Sequence, residues 1–186
     1  MGLLGLFRKR KNAATSVLVC ACESRFDELL AEDADVYKRY YTVTTALSLR
    51  GPEDVIMAVE RGFDIVHLLC DFGSCGSIAG SSVTGDALID KCCRSGVKLL
   101  WVASNNKPDA YIKGFSAGVR ALNLVMTINR NGQKFSIFLD QLLSRMSRGD
   151  TMPIAWNALA PQIPGLQHSD APELIFAAGL GSARFR

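Results

Sequence analysis

Two uninterrupted apolar segments constrain the fold more than any other feature of the sequence. They are residues 63–71 (FDIVHLLCD) and 97–104 (VKLLWVAS), and each ends abruptly in polar, Gly-rich or Asn-rich sequence. Strands that are apolar on both faces are typical of a parallel sheet covered by helices on both sides. In such a sheet, ligands and catalytic groups lie just beyond the carboxyl ends of the strands. Asp71 and Ser104 therefore occupy the two positions where a functional site is expected.

Strand and helix patterns alternate along the rest of the chain. Strands are predicted at 16–22, 41–47, 64–70, 97–103, 123–128 and 173–178. Helices are predicted at 25–35, 52–62, 84–96, 108–118 and 133–147, with a short one around Trp156. This alternation predicts an α/β fold, a three-layer sandwich with a mainly parallel sheet of about six strands.

The size of the chain indicates one domain. At 186 residues and 48% apolar content, it can bury a substantial core. We expect residues 1–15 to be a basic, disordered leader and residues 16–186 to be a single domain. The alternative for the leader is weak membrane contact through residues 2–11, with apolar side chains in the interface and the basic run on anionic headgroups. A secretory signal would have its basic residues before the apolar stretch, which is the reverse order.

Charge and cysteine usage exclude several classes of function. The net charge of +3 is too small to indicate a nucleic-acid partner, and much of it comes from the basic run at 8–11. The six cysteines show no metal-ligand spacing and no Cys-x-x-Cys, and only two histidines are present. We expect free thiols that serve as small hydrophobic side chains in a reducing cytoplasm, with no metal and no cofactor.

Ser104 is a candidate nucleophile that lacks an evident base. A serine needs a general base within hydrogen-bond reach, normally a histidine. His67 precedes Asp71 by four residues, which at about 3.3 Å per residue places it roughly 13 Å below the strand end. We therefore expect His67 to be a packed, hydrogen-bonded core residue. His168 lies in a Pro/Gly loop, and nothing in the sequence brings it to Ser104.

The loop after Asp71 is rich in glycine and serine but matches no phosphate-binding motif. It has neither the P-loop nor the dinucleotide-binding pattern, and no lysine is placed to reach a phosphate. The simplest interpretation makes Asp71 a loop cap and Ser104 a helix cap. The residues expected to line a pocket at the strand ends are His67, Asp71, Gly73, Ser104, Asn105 and Asn106.

These segments resemble the CHAT-type, caspase-like cysteine peptidases. In that family an apolar strand carries a histidine and, four residues later, a second, catalytic histidine, and the next strand ends in the nucleophilic cysteine. Residues 64–71 (DIVHLLCD) and 99–104 (LLWVAS) are similar to those two strands. Further similarity lies in 118–128, 135–149 and 152–160, so that the resemblance covers roughly residues 17–178.

The sequence departs from the family pattern at the two catalytic positions. His67 stands at the non-catalytic histidine, but Asp71 replaces the catalytic histidine and Ser104 replaces the cysteine. A thiolate peptidase without its thiol and its base is not expected to cleave peptides. The resemblance thus implies a pseudoenzyme that binds a protein partner, as a scaffold or regulatory subunit, in a bacterial defence or signalling system.

Two other functions remain open from the sequence. One is a divergent hydrolase that uses Ser104, with a base from His168 or a partner chain; the other is a sensor of a small ligand in the strand-end cleft. Pro/Gly-rich residues 161–172 would cover either a partner surface or the edge of the domain itself. In the resembled family, domains often pair through the edge strand nearest the carboxyl terminus. The apolar strand at 173–178 would permit an oligomer of this kind.

Overall fold

The computed structural model describes residues 14–49, 51–73, 76–78, 81–104, 124–129, 135–159 and 174–178. The strands are β1 (Ser16–Ala21), β2 (Val43–Ser48), β3 (Ile65–Leu69), β4 (Leu99–Ser104), β5 (Leu124–Asn129) and β6 (Leu174–Ala178). The helices are α1 (Asp27–Lys38), α2 (Pro52–Val59), α3 (Gly85–Arg94), α4 (Phe135–Ser147) and α5 (Met152–Leu159). A single 3-10 turn, Ser24–Phe26, leads into α1.

The described strands form one sheet in the order β2-β1-β3-β4-β5-β6. All neighbouring pairs from β2 to β5 are parallel, whereas β6 is antiparallel to β5. The predicted α/β fold with a mainly parallel sheet is therefore confirmed. The parallel order brings the carboxyl ends of β1, β3 and β4 to one edge, which we call the carboxyl edge.

The ends of the helices follow local chemistry that is visible in the sequence. Thr84 caps α3, because its hydroxyl accepts a hydrogen bond from the Ala87 N–H at 3.2 Å. Gly96 follows that helix with φ of 77°, a left-handed conformation that favours glycine. Pro52 is the first residue of α2, where its missing N–H has no helical partner to lose.

Both faces of the sheet are covered. One core cluster joins alternate residues of β1, including Val17 and Val19, to α1, α4 and α5. The other joins Leu18 and Cys20 of the same strand to α2 and α3. Trp101 on β4 is fully buried and is the largest such side chain described. Because both clusters are made of buried apolar side chains, hydrophobic burial holds the helices on the two faces of the sheet.

Several predicted features lie outside the described residues. These are residues 1–13 of the leader, the helix at 108–118, the loop at 161–172, His168, and the pocket residues Asn105 and Asn106. Within the described part of the chain, no helix is long and apolar enough to cross a membrane.

Candidate functional site

The carboxyl edge brings Asp71 and Ser104 to the ends of neighbouring strands. In the parallel register of β3 and β4, Leu69 pairs with Ala103. The Cys70 N–H continues the ladder by donating to the Ala103 carbonyl at 3.1 Å. Ser104, the last residue of β4, therefore lies at the level of Cys70, one residue before Asp71. The two candidate positions lie at the ends of neighbouring strands, as the sequence predicts, but the expectation that Ser104 is level with Asp71 is wrong by one residue.

The carboxylate of Asp71 is held by an arginine from another part of the chain. The Arg25 guanidinium donates to Asp71 Oδ2 at 2.5 Å and to Glu23 Oε1 at 2.9 Å. The Asp71 side chain is 14% exposed and the Arg25 side chain 52%. The hydrogen bond to Glu23 raises the pKa of Arg25 above its already high value, and Asp71 adds to the effect against the opposing influence of burial. Asp71 thus faces a permanent cation.

Arg25 is positioned by the turn that follows β1. Ser24–Phe26 form the 3-10 turn, and Phe26 is buried in the core cluster beneath α1. The Arg25 guanidinium carbon lies 4.7 Å from the centre of the Phe26 ring, in a cation–π contact. The anchored phenylalanine and the two carboxylates therefore fix the guanidinium beside the end of β3.

The loop after Asp71 is closed by its own backbone. The Gly73 N–H donates to the Ser77 carbonyl at 2.8 Å, and the Gly76 N–H donates to the Gly73 carbonyl at 3.0 Å. Phe72 and Ile78 are buried and form a bridge between the two sides of the loop. The amide of Gly73 is therefore engaged within the protein, which argues further against a phosphate cradle at this position.

His67 lies in the core and not at the carboxyl edge. Its side chain is fully buried, and its ring stacks on Trp101 with centroids 5.3 Å apart and an interplanar angle of 8°. Its Nδ1 is 3.1 Å from the Tyr37 hydroxyl, and its Nε2 is 3.4 Å from Asp33 Oδ2. Both ring nitrogens thus face side chains of α1, and neither is directed to Ser104 by these contacts.

Asp33 and Tyr37 are the partners of His67 that sequence reasoning missed. They lie one turn apart on α1, and both side chains are fully buried. Burial raises the pKa of Tyr37 well above its usual value, and the nearby Asp33 raises it further. A signal was present in the sequence, because Asp33 interrupts an apolar helical stripe that includes Leu30 and Ala34. A carboxylate in such a stripe needs a buried polar partner.

A separate groove runs between α1 and α4, away from the carboxyl edge. Its volume is about 350 Å³, and Val36 and Ile137 contribute apolar surface to it. Asp140 on α4 accepts hydrogen bonds from Arg39 at 3.2 Å and from the Tyr40 hydroxyl at 3.0 Å. These contacts tie the end of α1 to α4, so that the polar groups of the groove serve helix packing.

Neither a metal site nor a known relative assigns a function to the described residues. Among the described residues, no cluster of three or more His, Cys, Asp or Glu side chains could hold a metal ion. The sequence matches no protein-family model, and no curated protein is significantly similar to it.

Proposed function

We propose that this chain is a catalytically degenerate relative of the CHAT-type, caspase-like peptidases. In this proposal it binds a protein partner at the carboxyl edge, as a scaffold or regulatory subunit of a bacterial defence or signalling system. The observation that carries the proposal is the Arg25–Asp71 ion pair, which occupies the position where the resembled family has its catalytic histidine.

The chemistry of the carboxyl edge supports a non-catalytic role. A carboxylate is a weak base toward a serine hydroxyl, and the Asp71 carboxylate accepts a hydrogen bond from the Arg25 guanidinium. His67, the histidine nearest in sequence to Asp71, directs its ring nitrogens toward Tyr37 and Asp33 inside the core. These contacts tie Asp71 to Arg25 and His67 to α1, which supports a non-catalytic carboxyl edge.

The register of the sheet supports the family resemblance itself. The resemblance requires that the strand carrying the histidine and the strand carrying the nucleophile be neighbours with aligned ends. β3 and β4 are parallel neighbours, and the register aligns Cys70 with Ser104. This arrangement of two neighbouring parallel strands supports the proposed resemblance.

Arg25 is the side chain that favours a protein partner at this edge. Its guanidinium is half exposed, oriented by two carboxylates and supported by an aromatic ring. Such a pre-organised arginine loses little conformational freedom when a partner binds, and arginine is enriched among the residues that dominate binding energy at interfaces. The partner would meet Arg25 together with the residues around Asp71.

A binding experiment with a matched control tests the proposal. A partner captured from source cells is purified, and its affinity is measured by calorimetry for the unmodified protein, Arg25→Glu and Arg94→Glu. Arg94 is also an exposed arginine paired with a carboxylate, Asp90, but it lies at the opposite end of the sheet, on α3. We expect Arg25→Glu to weaken binding at least about tenfold and Arg94→Glu to leave it unchanged. Equal binding by the two variants would refute a docking surface at the carboxyl edge.

A further inference from the structure

β1 and β3 are followed by two cysteines that are direct neighbours across the sheet. Ala21 pairs with Leu69 in the parallel register. The Cys22 N–H continues this ladder by donating to the Leu69 carbonyl at 3.0 Å, which places Cys22 opposite Cys70. Both side chains belong to the core cluster beneath α2 and α3, so they lie on the same face of the sheet.

The spacing of paired strand residues suits a disulfide bond. Neighbouring strands lie about 4.8 Å apart, and the Cα atoms of disulfide-bonded cysteines are typically about 4.4–6.8 Å apart. Cys22 and Cys70 are register partners on these two neighbouring strands, and their side chains lie on the same face of the sheet. A bond between them would therefore require little movement of the backbone.

The two thiols differ in their access to solvent. Cys22 is 5% exposed, whereas Cys70 is fully buried. Burial raises the pKa of the Cys70 thiol well above its usual value, and the hydrogen bond with Cys22 raises it further. Because the thiolate is the reactive form, Cys70 is poorly suited to attack an oxidant in solution. Cys22 is the member of the pair that a small oxidant reaches first.

We propose that Cys22 and Cys70 form a redox-active dithiol that a peroxide converts to an intramolecular disulfide. Cys22 sulfur attacks one peroxide oxygen, the O–O bond breaks, and a sulfenic acid and one water form. Cys70 sulfur then attacks the Cys22 sulfur and displaces the hydroxyl group, which leaves as a second water with the Cys70 thiol proton. Overall, two thiols are oxidised and hydrogen peroxide is reduced to two molecules of water.

The disulfide would form directly beside the candidate site. Cys22 immediately precedes Glu23 and the turn that carries Arg25, and Cys70 immediately precedes Asp71. The new bond would therefore join the two segments that the Arg25–Asp71 ion pair already connects. The chemistry of the thiol pair does not depend on what the domain binds.

Peroxide treatment of the reduced, full-length protein tests the proposal. After treatment the protein is denatured, alkylated with N-ethylmaleimide and weighed by mass spectrometry. We expect the loss of two alkylation sites, a mass lower by two hydrogen atoms before alkylation, and a peptide that links Cys22 to Cys70. Dithiothreitol should reverse the change. The disulfide bond should not form in Cys22→Ser or Cys70→Ser.

Two further variants serve as controls, and circular dichroism verifies that every variant is folded. Cys20 lies on the same face of β1 and is also buried, and Cys93 is a partly exposed thiol on α3. Cys20→Ser and Cys93→Ser should both retain the cross-link. The proposal is overturned if the folded protein keeps all its thiols, if the cross-link involves another cysteine, or if Cys22 is oxidised to a sulfinic acid without linking to Cys70.

Discussion

Arg25 donates a hydrogen bond at 2.5 Å to the carboxylate of Asp71, which lies 46 residues later in the chain. This contact joins the turn after β1 to the end of β3 at the carboxyl edge. In the proposed relationship to the caspase-like peptidases, this ion-paired acid replaces a catalytic histidine. Of the two side chains in this ion pair, Arg25 is the more exposed, at 52% against 14% for Asp71.

Removing Arg25 should cost little stability. Its side chain is about half exposed, so solvent screens the attraction to Asp71. We expect Arg25→Ala to lower the free energy of unfolding by no more than about 1 kcal/mol. Urea denaturation followed by circular dichroism measures this difference. A loss several times larger would mean that the ion pair holds the fold together and is not chiefly a surface feature.

Restoring the residues of the resembled family should activate a thiol. We expect the double variant Asp71→His/Ser104→Cys to react with iodoacetamide at about pH 6 roughly tenfold faster than Asp71→Asn/Ser104→Cys, because a neighbouring imidazolium lowers the pKa of a thiol. The asparagine variant is the matched control, since it removes the negative charge without adding a base. Peptide mapping confines the measurement to position 104. Equal rates would show that side chains at positions 71 and 104 do not meet.

The hydroxyl of Tyr37 should stabilise the protein through His67. It lies 3.1 Å from His67 Nδ1 in the core, so Tyr37→Phe leaves a buried polar atom with one partner fewer. We expect a loss of about 1–3 kcal/mol in the free energy of unfolding. Thermal and urea denaturation both report this loss.

Tyr41 provides the matched control for that measurement. It is also buried, but its hydroxyl has no hydrogen-bond partner within the part of the chain that the structure describes. Tyr41→Phe should therefore be nearly neutral or slightly stabilising. If the two variants lose the same stability, the contact between Tyr37 and His67 contributes nothing specific.

Asp64 should make stability depend on pH in the acid range. Burial alone would raise its pKa, but hydrogen bonds from Lys98 and from the backbone and hydroxyl of Ser16 outweigh burial and lower it. Because the folded state lowers the pKa, the stabilisation is complete above the unfolded value of about 3.9 and is lost as the pH falls through the folded value.

The variant Asp64→Asn tests that dependence. At pH 7 we expect it to lower the free energy of unfolding by about 1 kcal/mol, a modest figure because the carboxylate is only partly buried. The gap to the unmodified protein should close as the pH falls through the lowered pKa of Asp64 in the folded state. Asp90→Asn, which disrupts an exposed pair with Arg94, should show neither effect. A gap that persists unchanged at low pH would contradict this role of the Asp64 charge.

The fold could be predicted from the sequence because its signals are local. Each signal determines the structure of the segment in which it occurs. Examples are the apolar runs at β3 and β4, the helix cap at Thr84 and the left-handed Gly96. The first helix runs to Lys38 and not to the predicted residue 35, because Val36 and Tyr37 are buried against the sheet and extend its packed face.

The contacts of the candidate site could not be predicted from local sequence patterns. Arg25 reaches Asp71 across 46 residues, and Tyr37 reaches His67 across 30. Such contacts depend on which helix covers which strand, and no local pattern encodes that choice. The register of β1 against β3, which sets Cys22 opposite Cys70, is likewise a property of the assembled sheet.

Labelling of the purified protein with a fluorophosphonate probe tests most directly whether the carboxyl edge is catalytic. The folded protein is treated beside Ser104→Ala, His168→Ala and a reactive serine hydrolase as the positive control. The non-catalytic account predicts that only the hydrolase is labelled. Labelling of the unmodified protein that disappears in Ser104→Ala would show an activated serine, and would contradict the account.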